Sequence, residues 1–303
     1  MRAKRVASVV VLCLLLVAAG PDYSNYKERW VTPPKKEQPL LSHRTYRSEA
    51  MGVEVGYNVY LPPGYGDAAS AGKRYPVIYW LHGLNQSEST DQFPPGIVDG
   101  AIRSGAVPAT IVVYVSGGSR TFYFDSIDGK MLSETTIVKE LIPHVDATYR
   151  TIPGRGGRSI QGMSMGGFGA LKLAIKHPEV FSSVAAFAPS LRTAENLTAT
   201  HPDVVDRMLG GDAKRFWAEH PLVLFKEKAD QLRGKMPVAF FIGDKDHLLE
   251  GNRKLHALLG ELKYEHQYQE FPGVEHNLVK LSEWVKDLSL RFAVNHFSVS
   301  TEK

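Results

Sequence analysis

Short apolar runs alternate with longer helical patterns over most of the chain, and this alternation constrains the fold more than any other feature. The runs are rich in β-branched and aromatic residues, as is typical of buried parallel strands. They cover residues 77–81, 110–115, 159–162, 183–188 and 238–242. The helical patterns cover residues 136–149, 167–176, 253–262 and 279–292. Such alternation predicts right-handed β-α-β units, and therefore an α/β fold with a mostly parallel central sheet and helices on both faces.

Other segments depart from this alternation. Residues 43–48 and 53–61 have strand patterns, and the second alternates valine and tyrosine on one face, which predicts an antiparallel edge near the N-terminus. Residues 20–42 are polar and contain adjacent prolines, so we expect an extended arm there. Residues 191–235 follow a strand but have no single period, which predicts a helical insertion above the carboxyl edge of the sheet. We expect one domain over residues 43–297.

The first 19 residues have the composition of a targeting segment. Three basic residues (Arg2, Lys4 and Arg5) precede an apolar run that ends in small residues. A basic start, about 14 apolar residues and a small-residue exit are typical of a secretory signal peptide, and the run is shorter than the roughly 20 residues that span a bilayer. We therefore expect residues 1–19 to be removed, no stable membrane insertion afterwards, and a secreted or periplasmic protein.

Removal of this leader changes both the cysteine content and the charge. The single cysteine, Cys13, lies within it, so the mature chain would have no thiol for a disulfide, a thiolate metal site or a cysteine nucleophile. The formal net charge would fall from +4 to +1, because three basic residues and no acidic ones are lost. We therefore expect no nucleic-acid partner. The sequence leaves the oligomeric state open.

The motif Gly162-Met163-Ser164-Met165-Gly166-Gly167 lies between a predicted strand and a predicted helix. A Gly-x-Ser-x-Gly pattern in this context is typical of a tight turn that holds the serine in a strained backbone conformation. The glycines are required because side chains there would collide with the neighbouring strand and helix. A phosphate-binding loop is the alternative, but the Gly-Lys-Ser/Thr ending is missing. The motif predicts that Ser164 is a nucleophile.

A serine nucleophile requires a base and an acid that orients the base. After this type of turn they follow in the chain order serine, acid, histidine. His276, in the loop after the strand pattern at residues 264–271, is the expected base. Asp244 and Asp246 both follow the strand pattern at 238–242, and we favour Asp246, with Asp244 bonded to the loop backbone. His247 is expected to point elsewhere.

Stabilising the oxyanion of an acyl-transfer reaction requires two backbone N–H donors. Met165 follows the nucleophile at the start of a helix, and Leu84 lies in the loop Leu81-His82-Gly83-Leu84 after an early strand. These two amides are the predicted donors, and His82 is expected to hold the loop. For substrate contacts the candidates are Asp125 and Trp217, the latter in the predicted insertion.

Several of these motifs together resemble one family. They are Val59-Tyr60-Leu61-Pro62-Pro63-Gly64-Tyr65, Leu81-His82-Gly83, the motif around Ser164, Gly243 with Asp246, and Gly273 with His276. Over residues 43–295 the chain is similar to the esterase D group of α/β-hydrolases. That group includes feruloyl and acetyl-xylan esterases, S-formylglutathione hydrolases, siderophore esterases and mycolyltransferases. Residues 123–129 and 134–149 look like its secreted carbohydrate-esterase branch.

The resemblance implies an α/β-hydrolase fold and ester hydrolysis by a Ser-His-Asp triad, with Leu84 and Met165 as amide donors and neither a cofactor nor a metal. The expected substrate is an acylated carbohydrate, such as the feruloyl or acetyl esters of plant polysaccharide. A siderophore esterase and an acyltransferase to a sugar are alternatives within the enzymes. The alternative of another class is a non-catalytic carbohydrate-binding module.

Overall fold

An eight-stranded sheet forms the centre of the protein in a computed structural model that describes residues 27–298. The strands are β1 (Leu41–Ser48), β2 (Val53–Tyr60), β3 (Val77–Leu81), β4 (Ile111–Val115), β5 (Arg158–Met163), β6 (Ser183–Phe187), β7 (Val238–Gly243) and β8 (His266–Phe271). Their order in the sheet is β1-β2-β4-β3-β5-β6-β7-β8. Strands β3 to β8 are parallel, whereas β1 and β2 pair antiparallel at one edge. The predicted mostly parallel sheet with an antiparallel N-terminal edge is therefore confirmed.

Apolar side chains cover both faces of this sheet, as the nearly unbroken apolar runs predicted. One buried cluster surrounds Tyr79 and Phe168, and the other surrounds Trp80 and Phe187. Successive residues of β3 therefore point into opposite clusters, since side chains alternate along a strand. Burial on both faces leaves only the ends of the strands open to a substrate.

Eleven α-helices in the described residues surround the sheet. They are α1 (Pro95–Arg103), α2 (Ser133–Thr135), α3 (Ile142–Thr148), α4 (Met165–Lys176), α5 (Ala194–Thr200), α6 (Pro202–Leu209), α7 (Ala213–Ala218), α8 (Pro221–Leu232), α9 (Leu249–Glu261), α10 (Leu278–Val285) and α11 (Leu288–Asn295). Helices α5 to α8 occupy the region predicted as an insertion. None of the helices within residues 27–298 has both the length and the apolar character needed to cross a membrane.

Two predicted helices differ from the structure. A π-helical turn at Thr136–Leu141 joins α2 to α3, so this stretch begins earlier than predicted and is not a uniform α-helix. The single helix predicted at residues 279–292 is divided into α10 and α11 at Lys286, whose φ of +46° ends the first helix. The apolar residues keep a helical spacing across the break, so the sequence pattern predicted one helix where the structure has two.

The N-terminal segment lies against the antiparallel edge. Its Trp30 carbonyl accepts a hydrogen bond from the Gly56 N–H (2.7 Å), and the Thr32 N–H donates to the buried Glu88 carboxylate (2.5 Å). Residues 27–40 are otherwise irregular, and the last two residues of the predicted arm belong to β1. The predicted signal peptide at residues 1–19 lies outside the described residues.

Candidate active site

Ser164 occupies the turn between β5 and α4. Its backbone has φ +58° and ψ −113°, a conformation that costs free energy for any residue with a side chain. A Cβ atom at Gly166 would lie 2.0 Å from the Leu81 carbonyl oxygen, and one at Gly162 would lie 2.5 Å from the Gly166 carbonyl oxygen. Only glycine fits at these two positions, so the chain can turn sharply enough to present the serine hydroxyl at the N-terminus of α4.

Three predicted residues form a continuous hydrogen-bonded row. The Ser164 Oγ lies 2.9 Å from His276 Nε2, and His276 Nδ1 lies 2.7 Å from Asp246 Oδ2. Asp246 is 5% exposed, and its Oδ1 accepts the Leu248 N–H at 2.8 Å. A proton on Nδ1 donated to the carboxylate leaves Nε2 free to accept the serine proton, which is the arrangement that activates a hydroxyl.

Contact between two loops brings the candidate acid and the candidate base together. The loop after β7 carries Asp246, and the loop after β8 carries His276. A Cβ atom at Gly243 would lie 1.9 Å from the Val274 carbonyl oxygen, so glycine permits the close approach of these loops. Asp244, the other candidate acid, accepts the Gly273 N–H and so bonds to loop backbone, as the sequence predicted.

The loop after β3 lies directly against the serine. A Cβ atom at Gly83 would be 3.6 Å from the Ser164 Cβ, and the Gly83 N–H donates to Asp91 Oδ2 at 2.6 Å. His82 is buried: its Nδ1 lies 2.9 Å from the Gly83 carbonyl, and its Nε2 accepts the Gly117 N–H at 3.3 Å. Burial lowers the pKa of His82 to about 4, so the ring is neutral and holds the loop.

A cavity of about 290 Å³ opens above Ser164. The predicted oxyanion donors Leu84 and Met165 both line it, and four charged or titratable side chains that the sequence did not mark as site residues line it too. These four are Asp91, Arg192, His201 and His247. Each lies in a loop or at a helix boundary, where neither periodicity nor a motif indicates the direction of a side chain.

The expectation that His247 points elsewhere is wrong. Its ring lies 4.7 Å from the His276 ring, edge to face, and its Nδ1 is 3.6 Å from Asp246 Oδ1. Burial, together with the neighbouring His276 and Arg192, lowers the pKa of His247. The His247 ring therefore forms part of the cavity wall next to His276.

Neither candidate substrate contact lies at the cavity. The Asp125 carboxylate accepts hydrogen bonds from the Thr135 N–H (3.1 Å) and hydroxyl (2.6 Å), so it fixes the start of a helical stretch. Trp217 packs against Phe216 and His220, with ring centroids 5.8 and 4.8 Å away. Both side chains are engaged in local contacts, and neither lines the cavity above Ser164.

In the part of the chain that the structure describes, one group of side chains could hold a metal ion: Asp246, His247 and His276. Each offers a ligand atom, and these atoms lie within 4.8 Å of one another. Both nitrogens of His276 are already engaged, one with Asp246 and one with Ser164. An ion bound through His276 would have to break one of these bonds. The arrangement therefore suits proton transfer along the row better than metal binding.

The sheet order and the turn at Ser164 define an α/β-hydrolase fold, and comparison with known proteins confirms it. A ferulic acid esterase structure superposes with a TM-score of 0.70 at 23% identity, over 85% of this chain and 98% of that one. An S-formylglutathione hydrolase from Agrobacterium tumefaciens gives a TM-score of 0.67 at 19% identity, over 85% and 95% of the two chains. At these identities the likeness establishes the fold alone.

Residues 48–292 match the model of the Esterase family, described as "Putative esterase", and the chain belongs to that family. A Mycobacterium tuberculosis esterase is 29% identical over 266 residues, which are 78% of this chain and 56% of that protein. An endo-1,4-beta-xylanase/feruloyl esterase of Xylanibacter ruminicola is 33% identical over 174 residues, 50% of this chain and 24% of that protein. The chain thus spans about half the length of the first relative and about a quarter of the second.

Proposed function

We propose that this protein is a serine carboxylic-ester hydrolase whose catalytic triad is Ser164, His276 and Asp246. The observation that carries the proposal is the row of two hydrogen bonds, 2.9 Å from hydroxyl to imidazole and 2.7 Å from imidazole to carboxylate. Membership of an esterase family supports the same reaction class. No other side chain in the row is needed, since a base and an orienting acid suffice to activate a serine.

In the acylation half-reaction, His276 Nε2 takes the Ser164 proton while Oγ attacks the ester carbonyl. Asp246 keeps the remaining proton on Nδ1 and stabilises the imidazolium that forms. The Leu84 and Met165 N–H groups donate to the tetrahedral oxyanion, and one such donor is typically worth about 10²–10³ in rate. His276 then returns its proton to the alcohol oxygen, the C–O bond breaks, and the acyl group stays on Ser164.

Water completes the cycle. It replaces the departed alcohol beside His276, which takes a proton as the water attacks the acyl-enzyme carbonyl. The same two amides bind the second oxyanion. When this intermediate collapses, the bond between Oγ and the acyl carbon breaks, His276 Nε2 returns its proton to Oγ, and the carboxylic acid leaves.

The substrate we propose is an acylated carbohydrate, such as a feruloyl or acetyl ester of plant polysaccharide, and the enzyme acts as a secreted or periplasmic protein. The predicted leader at residues 1–19 motivates export. One relative by sequence, the endo-1,4-beta-xylanase/feruloyl esterase of Xylanibacter ruminicola, is named for feruloyl ester chemistry and favours the substrate class.

The first test is hydrolysis of p-nitrophenyl acetate by the wild-type protein, by Ser164→Ala and by Ser104→Ala, a control at an exposed serine that caps the C-terminal end of α1. We expect wild-type rates from the control and a loss of at least about 10³-fold from Ser164→Ala. Equal rates from wild type and Ser164→Ala would refute the nucleophile. Negligible rates from both, with retained binding to xylan, would indicate a carbohydrate-binding module instead.

The second test compares feruloylated and acetylated xylan fragments with aliphatic esters of similar chain length. The proposal expects a higher kcat/KM for the carbohydrate esters. A preference for the aliphatic esters would refute the substrate class and leave the triad untouched. Product that forms only when a sugar acceptor is added would indicate an acyltransferase.

A further inference from the structure

We propose that Arg192 binds a carboxylate carried by the alcohol part of the ester, so that the preferred substrates are acyl esters of acidic alcohols such as uronic-acid-containing carbohydrate. The inference rests on the proposed esterase activity and narrows its substrate class. The observation that supports it is the position of Arg192 in the wall of the cavity above Ser164.

The loop that carries Arg192 is held in place from three sides. The Ser190 N–H donates to the Ser164 carbonyl at 2.9 Å, which fixes the loop to the nucleophile turn itself. Asn252 Nδ2 donates to the Pro189 carbonyl at 3.0 Å, and the buried His220 donates from Nε2 to the Arg192 carbonyl at 3.1 Å. Because the backbone is already fixed, binding a ligand at Arg192 does not require the loop to be ordered first, which lowers the entropic cost of binding.

No carboxylate in the described part of the chain forms an ion pair with Arg192. Among residues 27–298, its guanidinium bonds two uncharged acceptors at 2.9 Å: Nη1 donates to Asn196 Oδ1 and Nη2 to His247 Nε2. By contrast, the surface residue Arg253 is held by both oxygens of Glu270. Asp246 acts on Arg192 electrostatically, but its carboxylate is hydrogen-bonded to His276. A half-buried guanidinium without a carboxylate partner, facing a cavity, suits a carboxylate ligand, which it can bind with two parallel hydrogen bonds.

The position of His247 indicates which part of the substrate Arg192 meets. His247 accepts from Arg192 through Nε2, which places its proton on Nδ1, the nitrogen that faces Asp246. Its ring also packs against the His276 ring. Arg192 is thus reached from Ser164 by passing the base. The leaving alcohol takes its proton from His276 Nε2, so the alcohol part of the ester lies on that same side.

The other charged groups at the cavity favour the same orientation. Asp91 lies beside Gly83, on the wall formed by the loop after β3, and would repel an anionic group there. His201 also lines the cavity, and burial together with Arg120 and Arg192 lowers its pKa, so it adds little positive charge near neutral pH. Arg192 is therefore the cation that an anionic substrate group would meet.

The test uses two acetate esters of nearly the same shape and leaving-group acidity, 4-acetoxybenzoate and 4-acetoxybenzamide, which differ in the charge of the alcohol part. We expect wild-type kcat/KM to be about tenfold or more higher for the carboxylate, since a charge-assisted hydrogen bond supplies a factor of this size. Arg192→Met should reduce this ratio to one or below, whatever its absolute rates, and Arg192→Lys should keep part of it. Arg253→Met is the matched control, and its ratio should equal that of the wild type.

Three results would overturn the inference. The wild type could show no preference for the carboxylate, or the preference could survive Arg192→Met in a protein that still unfolds cooperatively. The preference could also be confined to a carboxylate on the acyl part of the ester, which is measured with mono-p-nitrophenyl glutarate and p-nitrophenyl valerate. Ser164-dependent hydrolysis of both acetates at equal rates would refute the role of Arg192 and keep the esterase. Hydrolysis of neither ester would refute both.

Discussion

The carboxylate of Asp244 accepts a hydrogen bond from the Gly273 N–H at 2.7 Å, three residues before His276. Two neighbouring acids thus have separate tasks: Asp246 bonds the imidazole, and Asp244 bonds the loop on which the imidazole is mounted. Proton transfer requires the imidazole to be placed to within a fraction of an ångström. A residue that never touches the substrate can therefore affect the rate by positioning the imidazole.

We expect Asp244→Ala to lower kcat by about 3- to 10-fold with little change in KM, because one hydrogen bond that positions the base is lost. Asp244→Asn is the matched control: its Oδ1 can still accept from the Gly273 N–H, so most of the rate should remain. Steady-state kinetics on p-nitrophenyl acetate measure both. An equal loss in the two variants would mean that charge, and not the hydrogen bond, is what matters.

Asp246→Asn tests the tautomer directly. The amide can keep a contact with His276 Nδ1 but can offer it an N–H, which would leave the ring proton on Nε2 and the serine without a base. We expect kcat to fall by about 10³–10⁴, the size of effect seen when the acid of a triad is neutralised. The melting temperature should stay within a few degrees of wild type. A decrease of less than tenfold would show that Asp246 does not orient the base.

Much of this site follows from sequence because its chemistry requires particular residues at particular ends of strands. Gly162 and Gly166 are required because a Cβ atom at either position would lie 2.0 to 2.5 Å from a backbone oxygen, which no side chain could tolerate. The sequence motif therefore indicates the geometry of the turn. Asp246 and His276 follow β7 and β8, where the parallel topology gathers loops at one edge. Because these constraints are local, they can be predicted from the sequence.

The remaining part depends on loop conformation, which has no period. Nothing near His247 or Arg192 in the sequence indicates that their side chains meet at 2.9 Å next to the base. Asp125 and Trp217 were predicted from position along the chain, and their local contacts turned out to be stronger determinants. Helix α1 was not predicted because it is short and contains Gly96 and Gly100, which are weak helix formers.

Buried neutral histidines predict acid sensitivity. Burial lowers the pKa of His82 and of His220 to about 4, well below the ordinary value of 6.5. Between pH 6.5 and 4 the unfolded chain therefore binds more protons than the folded one at these sites, and the free energy of unfolding falls as the pH falls. A shift of this size corresponds to about 3 kcal/mol for each histidine by pH 4.

The measurement is urea unfolding at pH 7.0 and 4.5 for wild type and His220→Gln, and the difference between the two pH values is compared. We expect a smaller decrease for the variant, since Gln does not titrate. The difference between variants isolates the histidine, because Asp91, whose pKa burial raises to about 6, acts in the opposite direction and is common to both. An identical pH dependence in the two proteins would contradict the assignment of a neutral His220.

Lys172 of α4 is fully buried and bonds Glu134 at 2.8 Å and Glu219 at 3.0 Å, beside the ring of Phe124. Lys176 contacts the same two carboxylates from a partly exposed position, so the four charges join the nucleophile helix to the insertion.

Removing the ammonium of Lys172 leaves the negative charges of its partners without full compensation in a poorly hydrated site. We therefore expect Lys172→Met to lower the free energy of unfolding by about 3 kcal/mol. Lys176→Met, measured in the same urea titration, should cost about 1 kcal/mol, since water can replace its more exposed ammonium. If Lys172→Met were as stable as wild type, the ion cluster would make no net contribution to the free energy of unfolding and would not be what holds α4 to the insertion.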